Sequence, residues 1–181
     1  MIDAMPPDPS FAATQLAARA AYLLRGNDLG AMTTAAPLLY PGRVGDYTVE
    51  QWRASFEVNV TGAVALTLAL LPQLRSARGH VVFINSGAGR TVSPGMASYS
   101  ASKFALRAFA DSLRADEPSL RVTSVFPGRT DSEMQRDLVA YEAREYDPAR
   151  FLRPETVAEI VAHAVATPPD GHVHEVVVRP R

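Results

Sequence analysis

Three side chains in this sequence are spaced for proton chemistry: Ser86, then Tyr99 thirteen positions on, then Lys103 four positions after that. In a helical segment a tyrosine and a lysine four apart leave the same face. An ammonium beside a phenol favours the phenolate, so Lys103 is expected to pull the Tyr99 pKa down towards neutrality. A tyrosine tuned in this way exchanges a proton with an alcohol or carbonyl oxygen. Ser86 follows the apolar run Val81-Val82-Phe83-Ile84 and so falls at the carboxyl end of a predicted buried strand, where α/β sheets hold their ligands.

The elements that must position these groups alternate along the chain. Thr48 and Gln51 form a capping box that opens a long helix to about Arg75. A strand over 80–85, a helix over 97–115, a strand over 121–126, a loop over 127–150, a helix over 154–166 and a strand over 173–179 follow. Strand–helix–strand alternation implies a parallel sheet with helices on its faces. Met1 to Pro9, with three prolines from Pro6 to Pro9, reads as disordered. Ser10 caps an expected helix to about Arg25, ended by Gly26. Residues 29–40 carry too weak a pattern to assign.

Composition excludes several classes. At 181 residues the chain is one domain's worth and buries a real core. A formal charge of −1 gives no reason to expect capture of nucleic acid or an anionic membrane. With no cysteine there is no disulfide framework, thiolate nucleophile or Cys-based zinc site. No apolar run is expected to span a membrane, and the N-terminus lacks the basic and apolar regions of a signal peptide, so the expected address is the cytoplasm. His80, His163, His172 and His174 read as surface residues. His172 and His174 alternate, but no carboxylate or cysteine cluster supports a metal, and none is expected. The charges of Glu142, Arg144, Glu145, Asp147, Arg150, Arg153 and Glu155 read as a solvated, mixed segment.

From about residue 47 onward the chain resembles the short-chain dehydrogenase/reductase family, segment by segment. Asn59 in Phe56-Glu57-Val58-Asn59-Val60-Thr61-Gly62 is similar to the family's Asn-bearing helix. Val81 to Ser86 resembles the strand ending in the catalytic serine, and Tyr99-Ser100-Ala101-Ser102-Lys103 the active-site helix. Pro127-Gly128-Arg129-Thr130-Asp131-Ser132 resembles the loop that meets the nicotinamide. Leu152 to Ala158 and Glu175 to Val178 resemble the late helix and the closing strand.

The resemblance implies an α/β fold, a Rossmann-like three-layer parallel sheet with helices on both faces. It implies a hydride-transferring oxidoreductase acting on a small carbonyl or secondary alcohol, with NAD(P) as cofactor and NADP placed ahead of NAD. Tyr99 would be the acid or base and would also contact the cofactor, and Lys103 would tune it and bind the nicotinamide ribose. Ser86 would hold the substrate oxygen, and Asn59 would fix a relaying water. Pro127, Gly128, Thr130 and Ser132 would receive the nicotinamide. The segment that resembles the substrate lid carries Leu138, Tyr141, Tyr146 and Phe151, which points to a small apolar substrate. Helices 48–75 and 97–115 would pair two copies into a homodimer or build a tetramer.

One half of the pattern is missing. The family opens with a strand, a Gly-x-x-x-Gly-x-Gly turn and a helix that hold the pyrophosphate. Here Gly26-Asn27-Asp28-Leu29-Gly30-Ala31-Met32 keeps two glycines but lies only 26 residues before Asn59, and reads as coincidence. Thr34-Ala35-Ala36-Pro37 stands where the family has Asn-Asn-Ala-Gly. Residues 1–40 are therefore expected to be a remnant, through N-terminal truncation or an altered start, and 41–181 the catalytic half. Loss of the first strands would expose a sheet edge, which the chain must cover or recruit a partner to cover. A catalytically silent chain acting through helix-mediated pairing is the alternative function.

Overall fold

A computed structural model of the chain describes residues 21–25, 28–34 and 37–181. Its centre is a five-stranded sheet, β1 (Ala21–Arg25), β2 (Asp28–Thr34), β3 (His80–Ile84), β4 (Arg121–Pro127) and β5 (Glu175–Val178), arranged in that order. Strands β2 to β5 run parallel; β1 is antiparallel to β2. Parallel neighbours require crossovers. Helix α1 (Val49–Ala77) joins β2 to β3, α2 (Ala97–Asp116) joins β3 to β4, and α3 (Glu133–Tyr141) and α4 (Pro154–Ala166) lie between β4 and β5.

The sheet is covered on both faces, as near-continuous burial along β3 and β4 demands. Val81, Phe83 and Val122 form a fully buried cluster with Leu74 of α1 and Leu106, Ala110 and Leu113 of α2. Phe109 meets Phe83 edge to face at 5.6 Å. The capping box of Thr48 and Gln51 is formed, each side chain taking the other's backbone N–H.

Three expectations are corrected here. The helix expected over about 10–25 is a strand where described, since Ala21–Arg25 is β1; Ser10 and the segment Met1 to Pro9 lie outside the described residues. Tyr22-Leu23-Leu24 is a β-forming run followed by Gly26-Asn27, a pair that signals a two-residue hairpin. Strand β1 lies along β2 from Ala21↔Thr33 to Arg25↔Asp28, so β2 is paired on both sides and β1 is the edge of the described sheet. The expected loop over 127–150 contains α3, capped by the Ser132 hydroxyl and anchored by buried Gln135 and Val139. Finally, α1 is long and apolar enough, with mean hydropathy 1.6 over its best 18-residue window, to cross a membrane by composition. Its Ala63, Thr67 and Leu74 pack into the fold instead.

His80, expected at the surface, is fully buried. The Thr123 hydroxyl donates to the Val173 carbonyl, so His80 Nε2–H must donate to Thr123 Oγ1, at 2.7 Å. His80 Nδ1 is left buried without a partner. Protonating it would place an unpaired cation inside the sheet, near Arg121 and His172, and its pKa is pushed down to about 4, with burial the main cause. The unfolded chain takes this proton first, near pH 6.5, so stability is full above that value and falls as the pH drops from 6.5 to 4. The loss approaches about 3 kcal/mol. His80→Leu should flatten the dependence of urea stability between pH 7 and pH 5, leaving only the smaller contribution of His172, which is shifted the same way. An unchanged slope would show that His80 is not its source.

Candidate active site

The carboxyl ends of β3 and β4 and the first turns of α2 meet in one cleft of about 650 Å³. Ser86 and Tyr99 line it together with Pro127, Gly128, Thr130 and Ser132. Lys103 lies immediately behind, one turn after Tyr99 and 3% exposed.

Each residue is placed by a local cause. Ser86 ends β3 and caps a short turn, Gly87–Gly89, its hydroxyl accepting the Ala88 N–H at 3.1 Å. Asn85, which the sequence reading did not single out, ties the site together: its Oδ1 accepts the Ser86 N–H at 2.8 Å and its Nδ2 donates to the Lys103 carbonyl at 3.1 Å. Gly89 seats against this tie. A Cβ there would fall 2.4 Å from Asn85 Oδ1 and 2.9 Å from the Lys103 carbonyl oxygen. Arg90 and Arg107 both bond Glu175 and flank the Phe126 ring, fixing the serine loop and α2 to β5.

Tyr99 is 6% exposed, and burial raises its pKa above the ordinary value, with the neighbouring Ser86 hydroxyl opposing the shift. The expected depression by Lys103 is absent. The ammonium lies 5.7 Å from the centre of the Tyr99 ring and donates to the Ile84 carbonyl at 3.2 Å. Burial also pushes the Lys103 pKa down to about 8. Desolvation of both charged forms therefore outweighs their mutual attraction, and at neutral pH Tyr99 is a protonated phenol.

Asn59 sits in a π-helical turn, Glu57–Thr61, within α1. Such turns concentrate at functional sites because the extra residue rotates a side chain inward. The Asn59 amide accepts the Leu38 N–H at 2.7 Å and donates to the Leu38 carbonyl and the Ser102 hydroxyl, both at 2.9 Å. It clamps the segment after β2 to α2, and the site's near wall depends on it. Ser102 in turn donates to the Tyr99 carbonyl at 2.8 Å.

The loop after β4 is shaped for a flat polar group. Leu152 bridges to Thr130 by bonds to Arg129 O and Asp131 N, which turns Thr130's own N–H and C=O away from that bridge. Ser132 spends a lone pair capping α3 and keeps its O–H to donate. The Gly128 N–H is engaged by Val178. These groups, with buried Lys103, fit the nicotinamide and ribose end of a dinucleotide. The phosphate end differs. Gly30 lies inside β2, and among the described residues no helix begins between β2 and residue 44. Among the described residues, no glycine-rich strand–turn–helix cradle is present there. Nor, among the described residues, is any group of three or more His, Asp or Glu placed to hold a metal.

Residues 12–143 match the family model of the short chain dehydrogenases. The chain belongs to the short chain dehydrogenase family. This short chain dehydrogenase is 33% identical over 157 residues to glycine betaine reductase of Emericella nidulans, covering 83% of this chain and 12% of that protein. An uncharacterized oxidoreductase of Staphylococcus epidermidis is 30% identical over 141 residues, 76% of this chain and 59% of that one. The chain thus spans about three fifths of the length of its staphylococcal relative. The alcohol dehydrogenase of Thermococcus sibiricus, solved with 5-hydroxy-NADP, superposes with a TM-score of 0.75 at 23% identity over 95% of this chain and 68% of that one. That likeness establishes the Rossmann-like fold.

Proposed function

We propose that this short chain dehydrogenase is an NAD(P)-dependent oxidoreductase that reduces the carbonyl group of a small molecule. The observation that carries the reading is the buried, protonated Tyr99 phenol beside Ser86 in the same cleft. A phenol held protonated is a proton donor, which suits reduction at neutral pH; oxidation of an alcohol needs the phenolate and belongs to alkaline conditions. Ser86 holds the substrate oxygen and stabilises the charge that develops on it. Lys103 supplies a buried cation behind Tyr99. Pro127, Gly128, Thr130 and Ser132 receive the nicotinamide, and Asn59 holds the segment after β2, which forms the opposite wall, against α2. A bound dinucleotide supplies the hydride. NADP is placed ahead of NAD on the ground that the Thermococcus neighbour was solved with an NADP derivative.

Pairing of two copies in the cytoplasm completes the proposal. Leu68 of α1 is 58% exposed and Phe104 of α2 is 40% exposed, and only 22% of the most apolar stretch of α1 is buried. The hairpin that stands where a phosphate cradle would be favours a second reading, in which this pairing surface is the function and the cleft is silent. Titration of the folded chain with NADPH and NADH, followed by cofactor fluorescence, separates the two. Saturation at micromolar cofactor is expected; no binding at millimolar cofactor would leave only the pairing role.

A further inference from the structure

Arg179 and Arg150 are the features that the function above leaves unused. Four charged side chains line the cleft, namely Arg129, Glu142, Arg150 and Arg179. Glu142 is already taken, 3.0 Å from Arg129 and 4.0 Å from Arg144. No carboxylate lies within 4.0 Å of Arg150 or Arg179 among the described residues, so three cations against one anion leave two positive charges facing the cavity.

The seat of Arg179 is specific. It follows β5, and its Nη1 donates to the Phe126 carbonyl at 3.2 Å. A Cβ on Gly87 would lie 3.0 Å from both Nη1 and Nη2 and 3.1 Å from Cζ, so the guanidinium lies face-on over that glycine. Its stem crosses Gly128, where a Cβ would be 3.2 Å from Arg179 Cδ. Any side chain at residue 87 would lift the guanidinium out of the cleft. Gly87 is the residue after Ser86, one Cα step or about 3.8 Å away. A planar guanidinium binds carboxylates in two-pronged fashion.

We propose that Arg179 is a specificity-determining residue that binds the carboxylate of a short oxo acid, with Arg150 reinforcing it from the lid side. The proposal rests on the carbonyl-reductase reading and names its substrate class. With the carbonyl oxygen at Ser86 and the carboxylate at Arg179, one or two bonds separate the carbonyl and carboxyl carbons, as in a 2-oxo or 3-oxo acid.

The test compares acetoacetate with its neutral ethyl ester in wild type, Arg179→Gln, Arg179→Lys and Arg150→Gln. Wild type should prefer acetoacetate. Arg179→Gln should raise its KM at least tenfold with little change in kcat and none for the ester. Arg179→Lys should recover part of the loss, and Arg150→Gln should show a smaller one. Added sodium chloride should raise KM for acetoacetate alone, a readout that needs no variant to fold. Equal use of acid and ester, insensitive to Arg179 and salt, overturns the proposal and leaves carbonyl reduction standing. Acetoacetate binding seen by saturation-transfer NMR and lost in Arg179→Gln, with no turnover of either compound, upholds the subsite and overturns the reductase reading. Weakened NADPH binding in Arg179→Gln, with acetoacetate unaffected, assigns the cation to the cofactor and overturns the proposal.

Discussion

Tyr99→Phe is expected to cut turnover of any reducible carbonyl by about 10²–10⁴-fold while the chain stays folded. The substitution removes only the phenolic hydroxyl from a ring that is 6% exposed and packed at the start of α2. Its volume is kept, so the core is undisturbed, and thermal stability should stay within about 1 kcal/mol of wild type. The loss should fall on kcat rather than on cofactor affinity, because the hydroxyl acts on the substrate oxygen. The pH profile adds a second signature. Burial raises the phenol above its usual 10.0 and lowers Lys103 to about 8, so wild-type kcat/KM for reduction should stay level through neutral pH and fall first as Lys103 loses its proton near pH 8, before the phenol ionises. Retained turnover in Tyr99→Phe, or a profile that bends near neutrality, would remove Tyr99 from the acid role.

The placement of the candidate residues was legible in the sequence because each occupies a fixed step of a regular element. Ser86 at a strand end and Tyr99 and Lys103 one helical turn apart follow from periodicities of 2 and 3.6, and those survive any tertiary context. The parallel run of β3 to β5 was readable for the same reason, whereas β2 was not, because residues 29–40 carry too weak a pattern to assign. The rest depended on long-range contacts. That Lys103 turns to Ile84, and leaves the phenol high, is decided by the burial of both groups among β3 and α2, which spacing does not encode. The burial of His80 follows from its place at the start of β3, where its ring reaches the hydroxyl of Thr123, a partner 43 residues away. The π-turn that aims Asn59 at Leu38 has no signal in residue type. Strand β1 was different: Gly26-Asn27 between two apolar runs did carry a hairpin signal, and the alanine-rich surroundings masked it. The hairpin pairs the side of β2 that would otherwise offer a row of unpaired backbone groups and moves the described edge to the shorter β1.

Lys103→Met should make the chain more stable and abolish its activity, a pairing that separates a functional charge from a structural one. The Lys103 ammonium is buried with one carbonyl, Ile84, as its hydrogen-bond partner, and its pKa falls from 10.5 to about 8. The unfolded chain holds its proton more tightly than the folded one, so stability is lowest below pH 8 and rises as the pH climbs from 8 to 10.5. The shift corresponds to about 3 kcal/mol of penalty at pH 7. Methionine keeps the length and removes the charge, while leaving the Ile84 carbonyl short of one bond, worth about 1 kcal/mol. The net gain is about 2 kcal/mol at pH 7, or roughly 4–8 °C in Tm for a chain of this size. The gain should shrink at pH 10, where the lysine of the folded chain is neutral and most of its penalty is gone. A lower Tm for Lys103→Met at pH 7 would mean that the ammonium supports the fold. The expected result means that a destabilising charge stands behind Tyr99, where a bound dinucleotide is proposed to need it.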